Sequence, residues 1–386
     1  MTKGGIFFII IVATPPKNIK RTYDMSKICE LINERGIPEL LLTKRGKKVK
    51  TPRDYEARRE EIKKILMEKE YGVIPAKPEK MTVEIVSESV TFCAGKAILR
   101  TLKFNFESEG KTFSFPAYSV TPKSEKKVPA FVHINFRPDV PDKYMPSEEI
   151  CDRGYAVFSF CYKDVAGDDN DFKSNCAKYL CKNRRAKNAP GKIAMWAWAA
   201  MRVLDYIETL EEINSSNVAV IGHSRLGKTA LVTGGFDERF KFIISNDSGC
   251  SGAAISRGKI GESVKRITTV FPFWFCPRYV EGADNADEYD FDQNFLLGLS
   301  VPRHLMVGSA EKDSWADPTS EFLCTASVNP AYAIFKKKGL VHEDEVPSAK
   351  AVLAEGDSFY HVRHGEHYLS REDWNEYMNY IDKNLD

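Results

Sequence analysis

The sequence predicts a three-layer αβα sandwich around a mostly parallel sheet, with antiparallel strands at the start of that sheet. Two observations support this prediction. Residues 81–120 alternate apolar and polar side chains between turns that contain Gly and Ser, which is typical of an antiparallel meander. From residue 128 onward, short apolar strand patterns alternate with helical ones, which favours a parallel sheet with helices on both faces.

The segment before this sheet differs in character. Residues 25–72 are highly charged and helical in pattern. Residues 1–24 contain eight consecutive apolar residues, too few to cross a bilayer, which needs about 20. They belong to an over-extended start before Met25, to a short surface strand or to an export signal. We therefore expect an N-terminal extension over 1–74, helical from about residue 25, followed by one large domain over 75–386.

The elements of the large domain can be assigned in order. A long helix is expected over 192–210, where apolar residues recur on one face. A last helix is expected over Arg371–Asn384, after a loop that holds three histidines. The expected buried strands are Pro129–Phe136, Gly154–Phe160, Asn217–Gly222, Phe242–Ser245, His304–Gly308 and Ala351–Ala354.

Composition and charge indicate a globular protein and bear on its partners. The 386 residues are 43% hydrophobic, as in globular proteins, and 56 Lys and Arg nearly balance 54 Asp and Glu. We therefore expect no nucleic-acid partner and no membrane partner. Nine irregularly spaced cysteines without a C-x-x-C motif indicate free thiols. A monomer in the cytoplasm is expected, or a secreted protein if residues 1–24 direct export.

The most informative segment is Gly222-His-Ser224-Arg-Leu-Gly227, which follows an apolar strand and opens a helix. A serine on such a turn is typical of a nucleophile elbow, where Gly222 removes a side chain that would crowd the turn. The helix N-terminus favours developing negative charge beside the serine. The match to G-x-S-x-G is imperfect, because Leu226 stands at the second glycine position. A serine that only caps a helix is the structural alternative.

An acid and a histidine follow Ser224 in the order that an elbow serine requires. Asp313 comes just after the predicted strand 304–308, where a triad acid belongs. His367 lies in the loop before the last helix, from which a histidine can reach the serine as a base.

A metal site is the alternative for the three histidines of that loop, His361, His364 and His367. Their spacing around Gly365 matches no standard site, and neither a cysteine nor a carboxylate pair accompanies them. We therefore expect no metal and no other cofactor.

With these motifs in place, the chain resembles the glucuronoyl esterase family of α/β-hydrolases, in its bacterial type, over about residues 75–384. The family elbow reads G-C-S-R-x-G-K, against Gly222-His-Ser-Arg-Leu-Gly-Lys228 here. The elbow alone is also similar to bacterial proteins loosely described as acetyl xylan esterases. Further matching stretches are Gly191–Trp198, Asp237–Phe240, Ser248–Ala254, Phe271–Cys276, Phe291–Asn294 and Asp313–Pro318.

The resemblance implies a role for each matching residue. It makes Ser224 the nucleophile and His367 the general base. It assigns Arg225 to the oxyanion, through its backbone N–H and its guanidinium. Without the resemblance, a lysine such as Lys228 or a tryptophan such as Trp315 would be interpreted as structural, which is the more common case. The implied substrate-binding residues are Lys228, Glu262 and Trp315.

The identity of the acid is open between two positions that family members use. Asp247, in Asn246-Asp-Ser-Gly, is one methylene shorter than the usual glutamate of the first position. Asp313 lies in an intact D-x-W motif at the second. We predict that Asp313 is the acid and Asp247 a supporting carboxylate. The other departures from the family pattern are His223, Phe273 and Asn294.

The predicted function is that of a serine carboxylester hydrolase with a Ser-His-Asp triad and an acyl-enzyme. The resemblance implies glucuronoyl or 4-O-methyl-glucuronoyl esters of xylan-derived sugars as substrates, so that the expected partner is a glucuronate-containing oligosaccharide or small ester. A carbohydrate deacetylase with the same triad is the nearer alternative. A non-catalytic carbohydrate-binding protein on a hydrolase fold is the more distant one.

Overall fold

The computed structural model describes residues 26–386. The hypotheses for residues 1–24 concern residues outside the described part of the chain. Within that part, ten strands form one sheet in the spatial order 1-2-3-5-4-6-7-8-10-9. The strands are β1 (Lys80–Phe92), β2 (Ala97–Ser108), β3 (Lys111–Pro122), β4 (Val128–Asn135), β5 (Ala156–Cys161), β6 (Ile213–His223), β7 (Phe242–Asn246), β8 (His304–Ala310), β9 (Val352–Leu353) and β10 (Ser358–Arg363).

The sheet joins an antiparallel part to a parallel part. Strands β1, β2 and β3 pair antiparallel, and β3 pairs antiparallel with β5. From β5 through β4, β6, β7 and β8 to β10, each strand is parallel to its neighbour. The register places His223 opposite Asn246 and Asn246 opposite Gly308, so β6, β7 and β8 end side by side. The residues that follow them therefore meet at one edge, where open α/β sheets bind ligands.

Helices cover both faces of this sheet, which confirms the predicted αβα sandwich. The N-terminal helices are α1 (Lys27–Glu34) and α2 (Pro52–Lys69). The remaining helices are α3 (Ser147–Asp152), α4 (Tyr162–Val165), α5 (Ala177–Leu180), α6 (Lys192–Ile207), α7 (Arg225–Phe236), α8 (Val264–Val270), α9 (Pro277–Glu281), α10 (Gln293–Gly298), α11 (Pro318–Ser327), α12 (Asn329–Ile334) and α13 (Arg371–Asp382).

Two cores separate the layers. The larger one holds α6 and α7, whose Trp196 and Leu231 are fully buried with the side chains of one sheet face. The smaller one holds α3 and α13, with Trp374 against Phe131 of the sheet at 5.1 Å between ring centroids. Helix α13 begins with a capping box, in which Ser370 and Asp373 each accept a hydrogen bond from the other residue's backbone N–H. This cap fixes the residue at which the loop ends and α13 begins.

The N-terminal helices pack on the larger core. Tyr55 of α2 donates a hydrogen bond from its hydroxyl to the Gly298 carbonyl at 2.8 Å, and Ile62 and Leu66 are buried in the same cluster. The domain boundary at residue 74 stays a prediction. Among residues 26–386, no helix is both long and apolar enough to cross a bilayer. All nine cysteines are in this part and are free thiols.

The end of the chain departs from the sequence-based assignment. The strand expected over 351–354 is reduced to two residues, β9. A six-residue strand, β10, lies where a loop was expected, and it includes His361. This strand contains polar residues, which in the sequence are typical of an exposed loop. In the folded chain His361 and Arg363 are instead buried beside Asp373. The loop that carries His367 is therefore shorter and better anchored than its sequence indicates.

Candidate active site

Ser224 sits on a strained turn between β6 and α7. Its φ of 57° and ψ of −127° are unusual for a residue with a side chain, and its N–H donates to the Asn246 carbonyl at 2.8 Å. A Cβ on Gly222 would lie 2.0 Å from the Leu226 carbonyl oxygen, so only glycine fits there. A Cβ on Gly227 would be 3.0 Å from the Ser248 side chain. The displaced second glycine thus allows close contact between α7 and the loop after β7.

The predicted base and acid are hydrogen-bonded. His367 Nδ1 lies 2.6 Å from Asp313 Oδ2. The Asp313 side chain is 4% exposed, and its other oxygen accepts from the Ala316 N–H at 3.1 Å. Burial alone would raise the pKa of Asp313, but the hydrogen bond to His367 and the charge of that residue outweigh it and lower the pKa. With Nδ1 engaged, Nε2 is the nitrogen left to face Ser224.

One cleft of about 370 Å³ collects all the site residues that the sequence singled out. It opens at the edge where β6, β7 and β8 end. Phe271 and Trp274 complete its wall. The predicted residues that line it are Ser224, Arg225, Lys228, Asp247, Glu262, Asp313, Trp315 and His367. Two of the departures from the family pattern, Asn294 and Phe273, do not line the cleft. Asn294 donates to the Pro38 carbonyl, and Phe273 packs on Phe271 of the cleft wall.

Asp247 lies close to the base but has a different partner. Its Oδ2 is 3.4 Å from both Arg363 Nη2 and the Tyr368 N–H, and its Oδ1 has no hydrogen-bond partner among the described residues. Its φ of 45° and its full burial reflect a tight turn after β7. Burial raises the pKa of Asp247 well above its usual range, and the neighbouring carboxylate of Glu321 adds to the shift. Of the two candidate acids, only Asp313 is hydrogen-bonded to His367.

Arg363 anchors the loop that carries the base. Its guanidinium donates to the carbonyls of Glu366 and Tyr368, on either side of His367. It also donates from Nε to Asp373 at 2.9 Å. Arg363 is buried, so these bonds are protected from water. This role of Arg363 cannot be predicted from the sequence, because nothing local distinguishes an arginine that binds carbonyls three and five residues further along the chain.

His223 packs against the base from inside the molecule. The two rings, of His223 and His367, have centroids 4.4 Å apart. The Nδ1 of His223 is 2.7 Å from Asn246 Oδ1. Burial, with a further contribution from the charge of His367, lowers the pKa of His223 to about 3, so this ring is neutral at ordinary pH. A neutral ring donates its Nδ1–H to the Asn246 oxygen, and the bond fixes its orientation.

A metal needs a set of free ligand atoms. His223, Asp247 and His367 are the one group of histidine, cysteine and acidic residues within 26–386 whose potential ligand atoms all lie within 4.8 Å of one another. Asn246 engages one nitrogen of His223, and Asp313 engages one of His367. The other two histidines that the sequence offered as metal ligands lie elsewhere. His361 is in β10, and His364 contacts the carboxylate of Glu311. The absence of a metal stays a prediction.

Arg225 is held by a carboxylate that the sequence analysis did not identify. Asp168 accepts from the Arg225 guanidinium, from Trp274 Nε1 at 2.7 Å and from the Tyr162 hydroxyl at 2.9 Å. The guanidinium lies 4.6 Å from the Trp274 ring centroid. A partly buried guanidinium needs an anionic partner, and Asp168 is that partner. Asp168 lies in an acid-rich run, 164–171, and nothing in the sequence distinguishes it from the neighbouring aspartates.

The predicted substrate-binding residues also line the cleft, and they are Lys228, Glu262 and Trp315. The buried Lys228 ammonium donates to the Ser248 carbonyl. Burial lowers the pKa of Lys228, and the charge of Glu262 opposes that shift. Glu262 donates its N–H to the Trp315 carbonyl at 3.1 Å, which joins the two loops. The Trp315 residue is 53% exposed at the rim, an unusual position for an indole.

Comparison with known proteins places the chain in a family. The family model described as fungal glucuronyl esterase matches residues 104–339, more than half of the chain. A carbohydrate esterase from an unknown prokaryotic organism is 30% identical over 390 aligned positions, covering 90% of this chain and 89% of the relative. A 4-O-methyl-glucuronoyl methylesterase of Neurospora crassa is 28% identical, covering 79% of this chain and 73% of the relative.

Solved structures agree. A glucuronoyl esterase from Solibacter usitatus is 30% identical, with a TM-score of 0.84 over 91% of this chain and 98% of that one. The elbow, the Asp313–His367 pair and the sheet topology described above therefore occur in a chain that belongs to the glucuronoyl esterase family of α/β-hydrolases.

Proposed function

We propose that this protein is a serine esterase that hydrolyses glucuronoyl or 4-O-methyl-glucuronoyl esters of xylan-derived sugars. One observation carries the proposal. The cleft joins a strained elbow serine and a hydrogen-bonded His367–Asp313 pair to a wall of Lys228, Glu262 and Trp315. The first group supplies the chemistry of ester cleavage, and the second offers contacts suited to a sugar acid. Relatives named as glucuronoyl methylesterases support the choice of acyl group.

The acylation step begins at Ser224. Its Oγ attacks the ester carbonyl carbon while His367 Nε2 takes the hydroxyl proton. Asp313 holds the ring in the required orientation and stabilises the imidazolium that forms. The tetrahedral intermediate then collapses. The C–O bond to the alcohol breaks, and His367 returns the proton to the leaving alkoxide, which leaves an ester between Ser224 and the glucuronate.

The deacylation step repeats this chemistry with water. His367 takes a proton from water, the hydroxide attacks the acyl carbon, and Ser224 leaves with the proton as the free serine. Both steps place negative charge on the former carbonyl oxygen. Arg225 supplies two donors to that oxygen, its guanidinium and its N–H at the first helical position, where no intrahelical acceptor exists. The bond to Asp168 orients the guanidinium before substrate arrives.

Recognition of the sugar is assigned to the wall that is formed by Lys228, Glu262 and Trp315. An esterified glucuronate carries no charge on its carboxyl group, so the Lys228 ammonium acts as a hydrogen-bond donor to ring hydroxyls. The Glu262 carboxylate accepts from hydroxyls. The exposed face of Trp315 packs on the apolar face of the sugar ring. In a deacetylase, by contrast, the sugar lies on the alcohol side, and this wall has no acyl sugar to bind.

The first experiment compares two substrates with wild type and Ser224→Ala. We expect serine-dependent hydrolysis of benzyl glucuronate well above that of acetylated xylo-oligosaccharides. The reverse preference would keep the triad but reject the uronate proposal in favour of deacetylation. Activity on neither substrate, with no fluorophosphonate labelling of Ser224, would reject catalysis altogether.

A second experiment tests the sugar wall. Lys228→Met removes a charged hydrogen-bond donor, a change that costs about 1.5–3 kcal/mol, so KM for the glucuronate ester should rise ~10- to 100-fold. Hydrolysis of a small aryl acetate should change little. Lys265→Met is the matched control, since this lysine is exposed and pairs with Asp284 outside the cleft. Equal effects of Lys228→Met on both esters would remove Lys228 from sugar recognition.

A further inference from the structure

A second cavity lies apart from the ester cleft and has about 650 Å³ of space. Its walls are the segment 73–78, the turn between β2 and β3, helix α5 and the loop 182–190. No lining residue is shared with the ester cleft. The cavity is therefore a separate feature of the surface, and the proposed esterase mechanism does not use it.

Aromatic rings form one side of this cavity. Phe113 and Tyr179 stack with ring centroids 4.6 Å apart and planes 11° from parallel. Trp198 lies 6.1 Å from Phe113, and its Nε1–H donates to the Ala76 carbonyl at 2.9 Å. Phe113 and Tyr179 are half-buried, so part of the stacked pair faces the cavity. Flat, fixed rings of this kind bind the apolar faces of sugar rings.

Lysines dominate the rim. Lys77, Lys111, Lys178 and Lys182 line the cavity, against one lining carboxylate, Glu109. Lys182 pairs with Glu109, and Lys77 with Asp205 at 3.1 Å. Within residues 26–386, Lys111 and Lys178 have no salt bridge, and both are exposed. We call this cavity, with its four lysines and its aromatic side, the lysine groove. Two of its rim lysines, Lys111 and Lys178, therefore carry positive charges that no salt bridge within residues 26–386 offsets.

We propose that the lysine groove binds an oligosaccharide that carries a carboxylate, as a second site separate from the ester cleft. The aromatic pair contacts a sugar ring, Lys111 and Lys178 pair with the carboxylate, and the rim amide of Asn188 is placed to bond hydroxyls. The ligand class follows from the groove itself. Only the choice of a glucuronate-bearing xylan fragment as the probe rests on the proposed function.

Such a site would hold an acidic chain on the enzyme between reaction events. The segment 166–191 leads from Asp168 at the ester cleft to Lys178 and Pro190 at the groove. Binding of a polysaccharide long enough to span both sites raises the local concentration of its chain at the ester cleft. The effect applies to long substrates and not to small esters, which gives the two sites separate assays.

The test measures binding to protein whose Ser224 has been blocked with a fluorophosphonate, with blocking checked by intact mass. The probes are a xylotriose that bears one 4-O-methyl-glucuronate and neutral xylotetraose, measured by calorimetry. We expect the acidic probe to bind and to weaken as salt is raised, and the neutral probe to bind at least several-fold less tightly. Equal binding of both probes, or binding of neither, would overturn the proposal.

Charge reversal locates the site. Lys111→Glu with Lys178→Glu should raise the Kd of the acidic probe about tenfold or more, and Tyr179→Ala should also weaken binding. The matched control is Lys123→Glu with Lys383→Glu, which makes the same change in net charge at exposed positions outside the groove. A control that weakens binding as much as the groove variant would show a general charge effect and overturn the proposal.

Two further measurements keep this test separate from the proposed function. Hydrolysis of benzyl glucuronate by the groove variants should equal that of wild type, and their melting temperatures should match the control. If Ser224 resists labelling, the proposed function fails while the comparison of groove and control variants on unlabelled protein still decides the lysine groove. If labelling succeeds and the groove variants bind as wild type does, only the lysine groove is rejected.

Discussion

Two carboxylates stand at comparable positions in this molecule and have different partners. Asp247 follows β7 and Asp313 follows β8, and both line the cleft beside His367. Asp313 makes a hydrogen bond of 2.6 Å to the ring of His367. Asp247 is instead 3.4 Å from the guanidinium of Arg363. Of the two carboxylates near His367, Asp313 is therefore the candidate triad acid, because it alone is hydrogen-bonded to that ring.

The difference has a geometric cause. Asp247 is held in a left-handed turn directly after its strand, so its short side chain points toward the buried Arg363. Asp313 comes three residues after its strand, which lets the chain turn back toward the loop that carries the base. The same edge of the sheet thus holds one carboxylate that acts on His367 directly and one that acts on the residue anchoring its loop.

The largest effect that this comparison predicts is for Asp313→Asn. The amide offers no charge to the imidazolium and favours the wrong ring tautomer, so kcat should fall by ~10³–10⁴. Single-turnover hydrolysis of benzyl glucuronate by wild type and variant measures the loss. A fall below tenfold would mean that Asp313 is not the triad acid.

The pair of Arg225 with a third carboxylate, Asp168, leads to the next two predictions, which concern kcat. Arg225→Ala removes an oxyanion donor, and kcat should fall by ~10²–10³ with the fold intact. Asp168→Asn leaves the guanidinium present but less well held, so its loss should be smaller and should appear in kcat more than in KM. Steady-state kinetics of the two variants give the ratio. Wild-type turnover in Arg225→Ala would remove this residue from the oxyanion site.

The sheet and the turn at Ser224 could be predicted from the sequence, whereas the residues that hold the candidate triad in place could not. Strands and the elbow depend on local patterns, such as Gly222 before Ser224. Asp168 is 57 residues from Arg225, and Arg363 is 116 residues from Asp247. A single sequence carries no record of such long-range pairs. The strand β10 was missed for a related reason, because its polar residues find buried partners only in the folded chain.

Asp247→Asn should have a much smaller effect than Asp313→Asn. The amide retains an oxygen that can accept from Arg363, and burial already favours the uncharged form of the acid, so kcat should fall less than about tenfold. The same kinetic assay decides between the two acids. A loss as large as that of Asp313→Asn would make the pair act jointly on His367.

A double variant sharpens the comparison further. Asp247→Glu lengthens the side chain by one methylene, to the residue that many family members have at this position. In an Asp313→Asn background, the longer carboxylate should approach His367 and recover part of the lost kcat. The control is Asp247→Glu alone, which should change kcat little. No recovery in the double variant would mean that the turn after β7 directs the longer side chain away from the base.

The smallest expected effect concerns Glu321 of α11, a buried carboxyl group behind the cleft. It accepts from the Gly249 N–H at 2.8 Å and from the Ser309 hydroxyl at 2.6 Å. Burial raises its pKa from 4.5 to about 7. A protonated Glu321 can keep the first bond and donate to Ser309 in the second, so both contacts survive protonation. The folded state therefore holds this proton more tightly than the unfolded chain does.

The sign of the pH effect follows from that difference. Between pH 4.5 and about 7 the folded protein binds more protons at Glu321, so its contribution to stability is full below this window and is lost as pH rises through it. Glu321→Gln mimics the protonated acid and cannot titrate. From pH 5 to 7.5 the free energy of unfolding of the variant should gain on that of wild type by on the order of 2 kcal/mol. Urea unfolding of both proteins at the two pH values measures the difference. A constant difference would mean that Glu321 is ionised in the folded state, with its two donors outweighing the cost of burial.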